Sequence, residues 1–276
     1  MKLNNGVEIP QIGLGTFMLS PNDAFNSVKV ALENGYKLID TASAYVNEKA
    51  VGKAIKMSNI DRKDIFVSTK LWVTEYENER AVDETLERLG LEYIDLLFIH
   101  QPAGNYLAGY KLLEKAYKEG KVRAIGLSNF EGKYLNEILS NCEIRPQVMQ
   151  VEAHPYFVQE ELRKTLDKYD IKLMSWYPLG HGDSNLLNEN IFTTLAHKYQ
   201  KTPSQIILRW HIDMGFIVIP GSKNALHIKE NLDVLNFALS DDDMNEISKI
   251  NKKQRYYIQT EENLKHYQEF KPKYEE

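Results

Sequence analysis

The feature that most constrains this chain is a repeated alternation. Short β-branched runs end in a polar residue, and an amphipathic helical stretch follows each one. The runs cover residues 12–15, 37–40, 65–70, 94–100, 122–128, 147–150, 171–176 and 216–219. Their near-continuous apolarity suits parallel strands buried on both faces. A strand and then a helix, eight times over, argues for βαβ units, which close into a barrel or open into a doubly wound sheet. Eight units in 276 residues favour the (β/α)8 barrel, with 1–276 as one domain.

Helix boundaries support this division. Ser20 before Pro21 reads as an N-cap, with Asp23 three residues on and Gly35 able to close the helix in a left-handed conformation. Ala81, Val82, Thr85, Leu86 and Leu89 form an apolar stripe before Gly90, and Leu112, Leu113, Ala116 and Tyr117 form another before Gly120. Thr202, Pro203 and Gln205 spell a capping box, and Ser240 with three aspartates reads as a capped acidic helix start.

Charge and composition narrow the function. With 34 basic and 39 acidic residues the net charge is -5, so no positive field points to nucleic acid or an anionic membrane. No apolar run approaches the ~18 residues that cross a bilayer, and the first residues lack an apolar signal core. Cys142 is the single cysteine, so it has no internal disulfide partner and is expected to be a passive small residue. The expectation is a cytoplasmic enzyme acting on a small molecule, a monomer or weak oligomer without a marked apolar interface.

The polar strand ends carry the chemistry. Asp40, Lys70 and His100 each close a predicted strand, and Ser128, Gln150 and Trp176 close the next three. In a barrel all such ends point to one rim, where active sites of this fold sit. One polar strand end alone reads equally as a helix cap. A carboxylate, an amine and an imidazole in register on successive strands read as a site. Tyr45 follows Asp40 within the same loop. A free tyrosine has a pKa of about 10, and a buried ammonium within hydrogen-bond reach lowers it and makes a better acid. Lys70 is expected in that role, kept charged by Asp40, with His100 orienting a carbonyl oxygen.

Several separate motifs, in order from about residue 3 to residue 250, resemble the aldo-keto reductases, in particular the bacterial 2,5-diketo-gluconate reductase-like branch. They are Gly13, Leu14, Gly15 and Thr16; 38–42; Tyr45 with Asn47 and Glu48; 68–72; 95–100; 126–130; and 150–154. The resemblance implies a (β/α)8 TIM barrel with an N-terminal hairpin plug, around Leu3 to Gly6, and extra C-terminal helices. It implies hydride transfer between a nicotinamide cofactor and a carbonyl, with Asp40, Tyr45, Lys70 and His100 as the catalytic tetrad and Tyr45 as general acid. By the same resemblance, Ser128, Asn129 and Gln150 hold the carboxamide and Trp176 stacks on the nicotinamide. Gly15, Thr16, Leu179 and Gly180 lie along the ribose and pyrophosphate, and Asp40 counts among the cofactor contacts. Ser222, Lys223, Asn224, His227, Glu230 and Asn231 are expected at the adenosine end.

Two departures from the family pattern are informative. Gly221 and His227 stand where many NADPH-preferring relatives have lysine and arginine, with Lys223 able to replace one charge. NADPH is expected first, with NADH a real alternative. Gln101 stands where many relatives carry tryptophan, and residues 102–106 lead quickly into a helix. Phe17, Tyr45, Trp72, His100 and Gln101, with Tyr256 and Tyr257 of the C-terminal segment, are expected to frame an open pocket for small or polar carbonyls. That segment, 252–276, either packs across the barrel mouth or frays.

Other signals are weaker. The segment from Gly13 lacks the third glycine of a dinucleotide fingerprint. His154, His181 and His211 form neither HxH nor HExxH, which disfavours a metal hydrolase. The competing function is a cofactor-binding regulatory or sensor protein with little turnover, against which the intact tetrad argues.

Overall fold

The computed structural model describes residues 1–274. Strand β1 (Leu14–Gly15) leads to helix α1 (Pro21–Glu33), β2 (Leu38–Asp40) to α2 (Glu48–Met57), β3 (Phe66–Leu71) to α3 (Ala81–Leu89), and β4 (Leu96–Ile99) to α4 (Tyr106–Lys118). The second half repeats this with β5 (Ile125–Ser128) and α5 (Gly132–Asn141), then β6 (Val148–Glu152) and α6 (Glu160–Lys168). After β7 (Lys172–Trp176) come α7 (Ser184–Leu187), α8 (Asn190–Tyr199) and α9 (Pro203–Asp213); β8 (Ile217–Val218) precedes α10 (Ala225–Leu232), α11 (Asp241–Ser248) and α12 (Glu261–Glu269).

All eight strands are parallel and paired in chain order. Bridges from Ile12 to Val218 and from Gly15 to Gly221 join first strand to last and close the barrel. The first and last strands are shorter than their apolar runs predict, because their ends continue as these single bridges rather than as ladder. Strand β6 runs past its predicted end at Gln150 to Glu152.

Local sequence explains the helices. Ser20 accepts a hydrogen bond from the Asp23 amide, and Gly35 takes φ +95° after α1. The Thr202–Gln205 capping box forms as read, and Ser240 caps α11 as expected, with Asp243 completing a second capping box.

Two apolar layers result. The larger lies between strands and helices. The smaller fills the barrel, where Leu38, Phe66, Leu96, Phe98, Val148, Met174 and Ile217 meet. Gly126 makes room there: a Cβ at this position would sit 2.5 Å from the Phe98 ring. An antiparallel hairpin plugs the bottom. Lys2 bridges Glu8, the Leu3 amide donates to Val7 at 2.9 Å, and Leu3 and Ile9 enter the inner layer.

At the opposite end the C-terminal segment crosses the rim. Glu152, at the end of β6, accepts from the Tyr256 and Tyr257 amides at 2.6 and 3.1 Å. Beyond β3, the Trp72 indole donates to the Phe270 carbonyl at 2.9 Å. Among the described residues, no helix is long and apolar enough to cross a membrane.

Candidate active site

The rim gathers the four expected side chains. Asp40 ends β2, Lys70 lies near the end of β3, His100 follows β4, and Tyr45 ends the 3₁₀ turn Ser43–Tyr45. Lys70 Nζ lies 2.7 Å from Asp40 Oδ2 and donates to the Thr41 carbonyl, also at 2.7 Å. Asp40 Oδ1 accepts from Ser68 Oγ at 2.7 Å and Gln150 Nε2 at 2.9 Å. The pair is enclosed, with side-chain exposures of 0% for Lys70 and 2% for Asp40. Burial pulls the Lys70 pKa down, and the charge and hydrogen bond of Asp40 oppose that pull.

Tyr45 differs from expectation in one respect. The Lys70 ammonium lies 5.1 Å from the centre of its ring, and the two hydrogen bonds it donates go to Asp40 and Thr41 instead. Burial pushes the phenol pKa well above its usual value, and Asp40 and Tyr177 add to the rise. Asp40 answers much of the ammonium's charge, so burial outweighs the lowering expected from the sequence. Tyr45 is therefore protonated.

His100 sits edge-on to Tyr45, with ring centres 5.7 Å apart, and edge-on to Trp72 at 5.1 Å. Its Nδ1 is buried without a partner among the described residues. Burial, and then the Lys70 charge, hold its pKa well below 6.5, so the imidazole is neutral. A histidine depressed in the folded state contributes stability above its unfolded pKa, and that stability is lost as the pH falls. Acidifying from about pH 7 to about pH 5 is expected to lower the unfolding free energy by up to about 2 kcal/mol through His100, because only the unfolded chain takes up the proton. Buried His211, held down at about 4, contributes a similar loss in both proteins, so denaturant unfolding at both pH values should show a larger loss in the parent than in His100→Asn, by the amount due to His100. Equal losses in both would rule His100 out as the responsible group.

The turn bearing Tyr45 is tied to the first loop. Asn47 accepts from Thr41 Oγ1 at 2.7 Å and donates to the Thr16 and Leu19 carbonyls at 3.0 and 3.1 Å. Thr16 itself is buried, its hydroxyl donating to the Asp40 carbonyl at 3.0 Å.

The residues expected around a nicotinamide share one layer. Asn129, at φ +66°, donates to Ser128 Oγ and the His100 carbonyl, each at 3.2 Å, and accepts from Trp176 Nε1 at 3.0 Å. Gln150 reaches Asp40 from the neighbouring strand. Leu179 and Gly180 lie in the loop after β7, where the Gly180 amide donates to the Tyr177 carbonyl at 2.9 Å. The Gly15–Gly221 bridge sets the loop after β8 beside Thr16. Ser222 Oγ accepts from the Asn224 amide at 3.0 Å, and Asn224 caps α10. Lys223, His227 and Glu230 are exposed, whereas Asn231 is buried. Amide and hydroxyl groups beside Asp40, continued by an exposed helix N-terminus, fit a nicotinamide dinucleotide. Among the described residues no three His, Cys, Asp or Glu side chains gather as a metal site.

The pocket expectation needs correction. Short loops predicted an open mouth, but Trp72 is only 5% exposed. Tyr267 and Phe270 pack edge-on against it at 5.3 and 5.7 Å, so the C-terminal segment walls that side with aromatics. Gln101 is buried too, its Oε1 without a partner among the described residues. Phe17 packs on Tyr45 at 5.1 Å and remains half exposed. A cavity of about 370 Å³ opens elsewhere, beside Glu131, Phe157 and Arg255, and none of the expected site residues lines it.

Sequence reasoning missed Ser68, Glu152, Tyr267 and Phe270. Ser68 and Glu152 were within reach, since each lies two residues from an inward-facing strand residue and shares its face. Nothing local marks Tyr267 or Phe270.

A family model for the aldo/keto reductase family matches residues 11–252. The glyoxal reductase of Bacillus subtilis (strain 168) is 44% identical over 260 residues, covering 92% of this chain and 94% of that protein. The crystal structure of MGS-M4, an aldo-keto reductase from a Medee basin deep-sea metagenome library, superposes with a TM-score of 0.91 at 43% identity, covering 95% of this chain and 98% of the other. A Bombyx mori aldo-keto reductase in complex with NADP gives 0.86 at 34% identity, covering 92% and 93% of the two chains.

Proposed function

The chain belongs to the aldo/keto reductase family, and from that we propose that it is an NAD(P)H-dependent reductase of small aldehydes and ketones, glyoxal-like dicarbonyls among them, acting in the cytoplasm. The observation that carries this reading is the meeting of Tyr45 with the enclosed Lys70–Asp40 pair and a neutral His100 at one rim. The kinship with a glyoxal reductase supports the substrate class.

When bound, the reduced nicotinamide supplies a hydride to the carbonyl carbon. Tyr45 gives its phenolic proton to the carbonyl oxygen, which leaves as the alcohol, and water returns a proton to Tyr45. Lys70 makes the transient phenolate less costly from beyond hydrogen-bond range, and Asp40 keeps Lys70 charged against burial. His100, being neutral, has one ring N–H with which to orient the oxygen. Ser128, Asn129 and Gln150 would hold the carboxamide, with Trp176 against the ring. Lys223 and His227 would face a 2′-phosphate, which puts NADPH ahead of NADH.

The test is the initial rate of NADPH and NADH oxidation with glyoxal. Turnover with either supports the reductase. Tight cofactor binding with no turnover on any small carbonyl would replace it with the sensor reading. Lys223→Ala is expected to raise the KM for NADPH roughly tenfold, the scale of one hydrogen bond to a charged group, and to leave NADH unchanged. Equal effects on both cofactors would remove Lys223 from the phosphate site.

A further inference from the structure

Behind the Tyr45 turn lies a buried ionic network that the chemistry above does not use. Glu48 accepts from Thr69 Oγ1 at 2.6 Å and pairs with Arg88 Nε at 2.6 Å. Arg88 Nη2 donates to Thr85 Oγ1 at 2.9 Å and to Glu75 Oε1 at 3.2 Å. Glu75 Oε2 in turn accepts from Ser43 Oγ at 2.5 Å and the Trp72 amide at 2.7 Å. Each outlet adjoins the site: Ser43 opens the turn that ends in Tyr45, Thr69 precedes Lys70, and Trp72 packs on His100.

Two carboxylates share one guanidinium here, so the cluster carries an excess negative charge in a place that water does not reach freely. Such a network is rigid when every lone pair is met and costly when one is not. The remaining donor comes from far along the chain. Tyr274 OH donates to Glu75 Oε1 at 2.8 Å, and its ring covers the Arg88 guanidinium at 4.1 Å. A cavity of about 20 Å³ lined by Ser43, Glu48, Arg88 and Tyr274 lies between them, room for about one water. Tyr274 also lies beyond residue 252, where the family match ends.

We propose that Tyr274 is a positioning residue: by closing the Glu48–Arg88–Glu75 network it holds the Tyr45 turn and Trp72 in their working geometry. Its kinetic consequence rests on the reductase reading. Without the phenol, Glu75 loses a donor, water enters over Arg88, and the bonds to Ser43 and the Trp72 amide loosen.

Tyr274→Phe keeps the ring over Arg88 and removes the hydroxyl, whereas Tyr274→Ala removes both. With glyoxal, kcat is expected to fall roughly three- to tenfold in the first and roughly ten- to thirtyfold in the second, the scale of a small misplacement of reacting groups. The cofactor KM should stay at the parent value, while Tm falls by a few degrees, the scale of one lost hydrogen bond to a buried charge. A purely structural anchor would lower Tm in the same way and leave kcat intact. Backbone hydrogen exchange supplies a readout independent of turnover: Tyr274→Ala should exchange faster over residues 41–48 and 72–76, and nowhere else in the barrel. Parent-like exchange in those segments overturns the proposal, and so does kcat within twofold of the parent in both variants. A parent without turnover would sink the reductase reading instead, leaving the exchange comparison to decide on Tyr274.

Discussion

Replacing Tyr45 with phenylalanine is expected to lower carbonyl reduction by ~10²–10⁴-fold, the range of a positioned general acid, while cofactor affinity stays within a few-fold of the parent. The substitution removes one oxygen and keeps the ring, so the packing against Phe17 and His100 survives. Neither tetrad neighbour replaces the lost proton: His100 is held neutral, and the Lys70 ammonium is turned toward Asp40 and Thr41. Steady-state rates with glyoxal, together with cofactor titration followed by protein fluorescence, measure the two quantities separately. Turnover within a few-fold of the parent would remove Tyr45 as the acid.

The second large effect concerns the pair beneath it. Lys70→Met leaves Asp40 with only the neutral donors Ser68 and Gln150, and Asp40→Asn turns an amide toward a buried ammonium. Removing one partner of a buried pair typically costs about 3–5 kcal/mol, because the survivor keeps its desolvation penalty without its compensation. Both single variants should therefore unfold at markedly lower denaturant and lose turnover. The double variant buries no charge, so it should regain much of the stability and none of the activity. This contrast separates a structural pair from a catalytic one. If both single variants unfold at the parent's midpoint, the two charges are not coupled in the folded protein. If the double variant regains turnover, the Lys70 charge has no part in the chemistry.

Much of this site was legible in the chain because it depends on short-range physics. Strand alternation has a period of two and helix stripes one near 3.6, so the eight units and their rim-facing ends follow from local pattern. Caps are equally local: Ser20, Thr202 and Ser240 each bond an amide three residues on. Asp40, Lys70 and His100 met because a closed parallel barrel sends every strand end to one face.

What the sequence by itself determined, then, was the repeating unit, the shared rim and the residue types placed on it. The tertiary structure decided which of those groups actually bond and what closes over them. Lys70 lay within reach of two acceptors and a phenol, and the enclosure of Asp40 settled where its hydrogen bonds went. The wall around Trp72 and the donor on Glu75 come from Phe270 and Tyr274, which lie 198 and 199 residues from their partners. No periodicity links positions so far apart. Their meeting depends on where the C-terminal segment finds apolar surface and unmet polar groups on a finished barrel, and those exist only once the strands have closed.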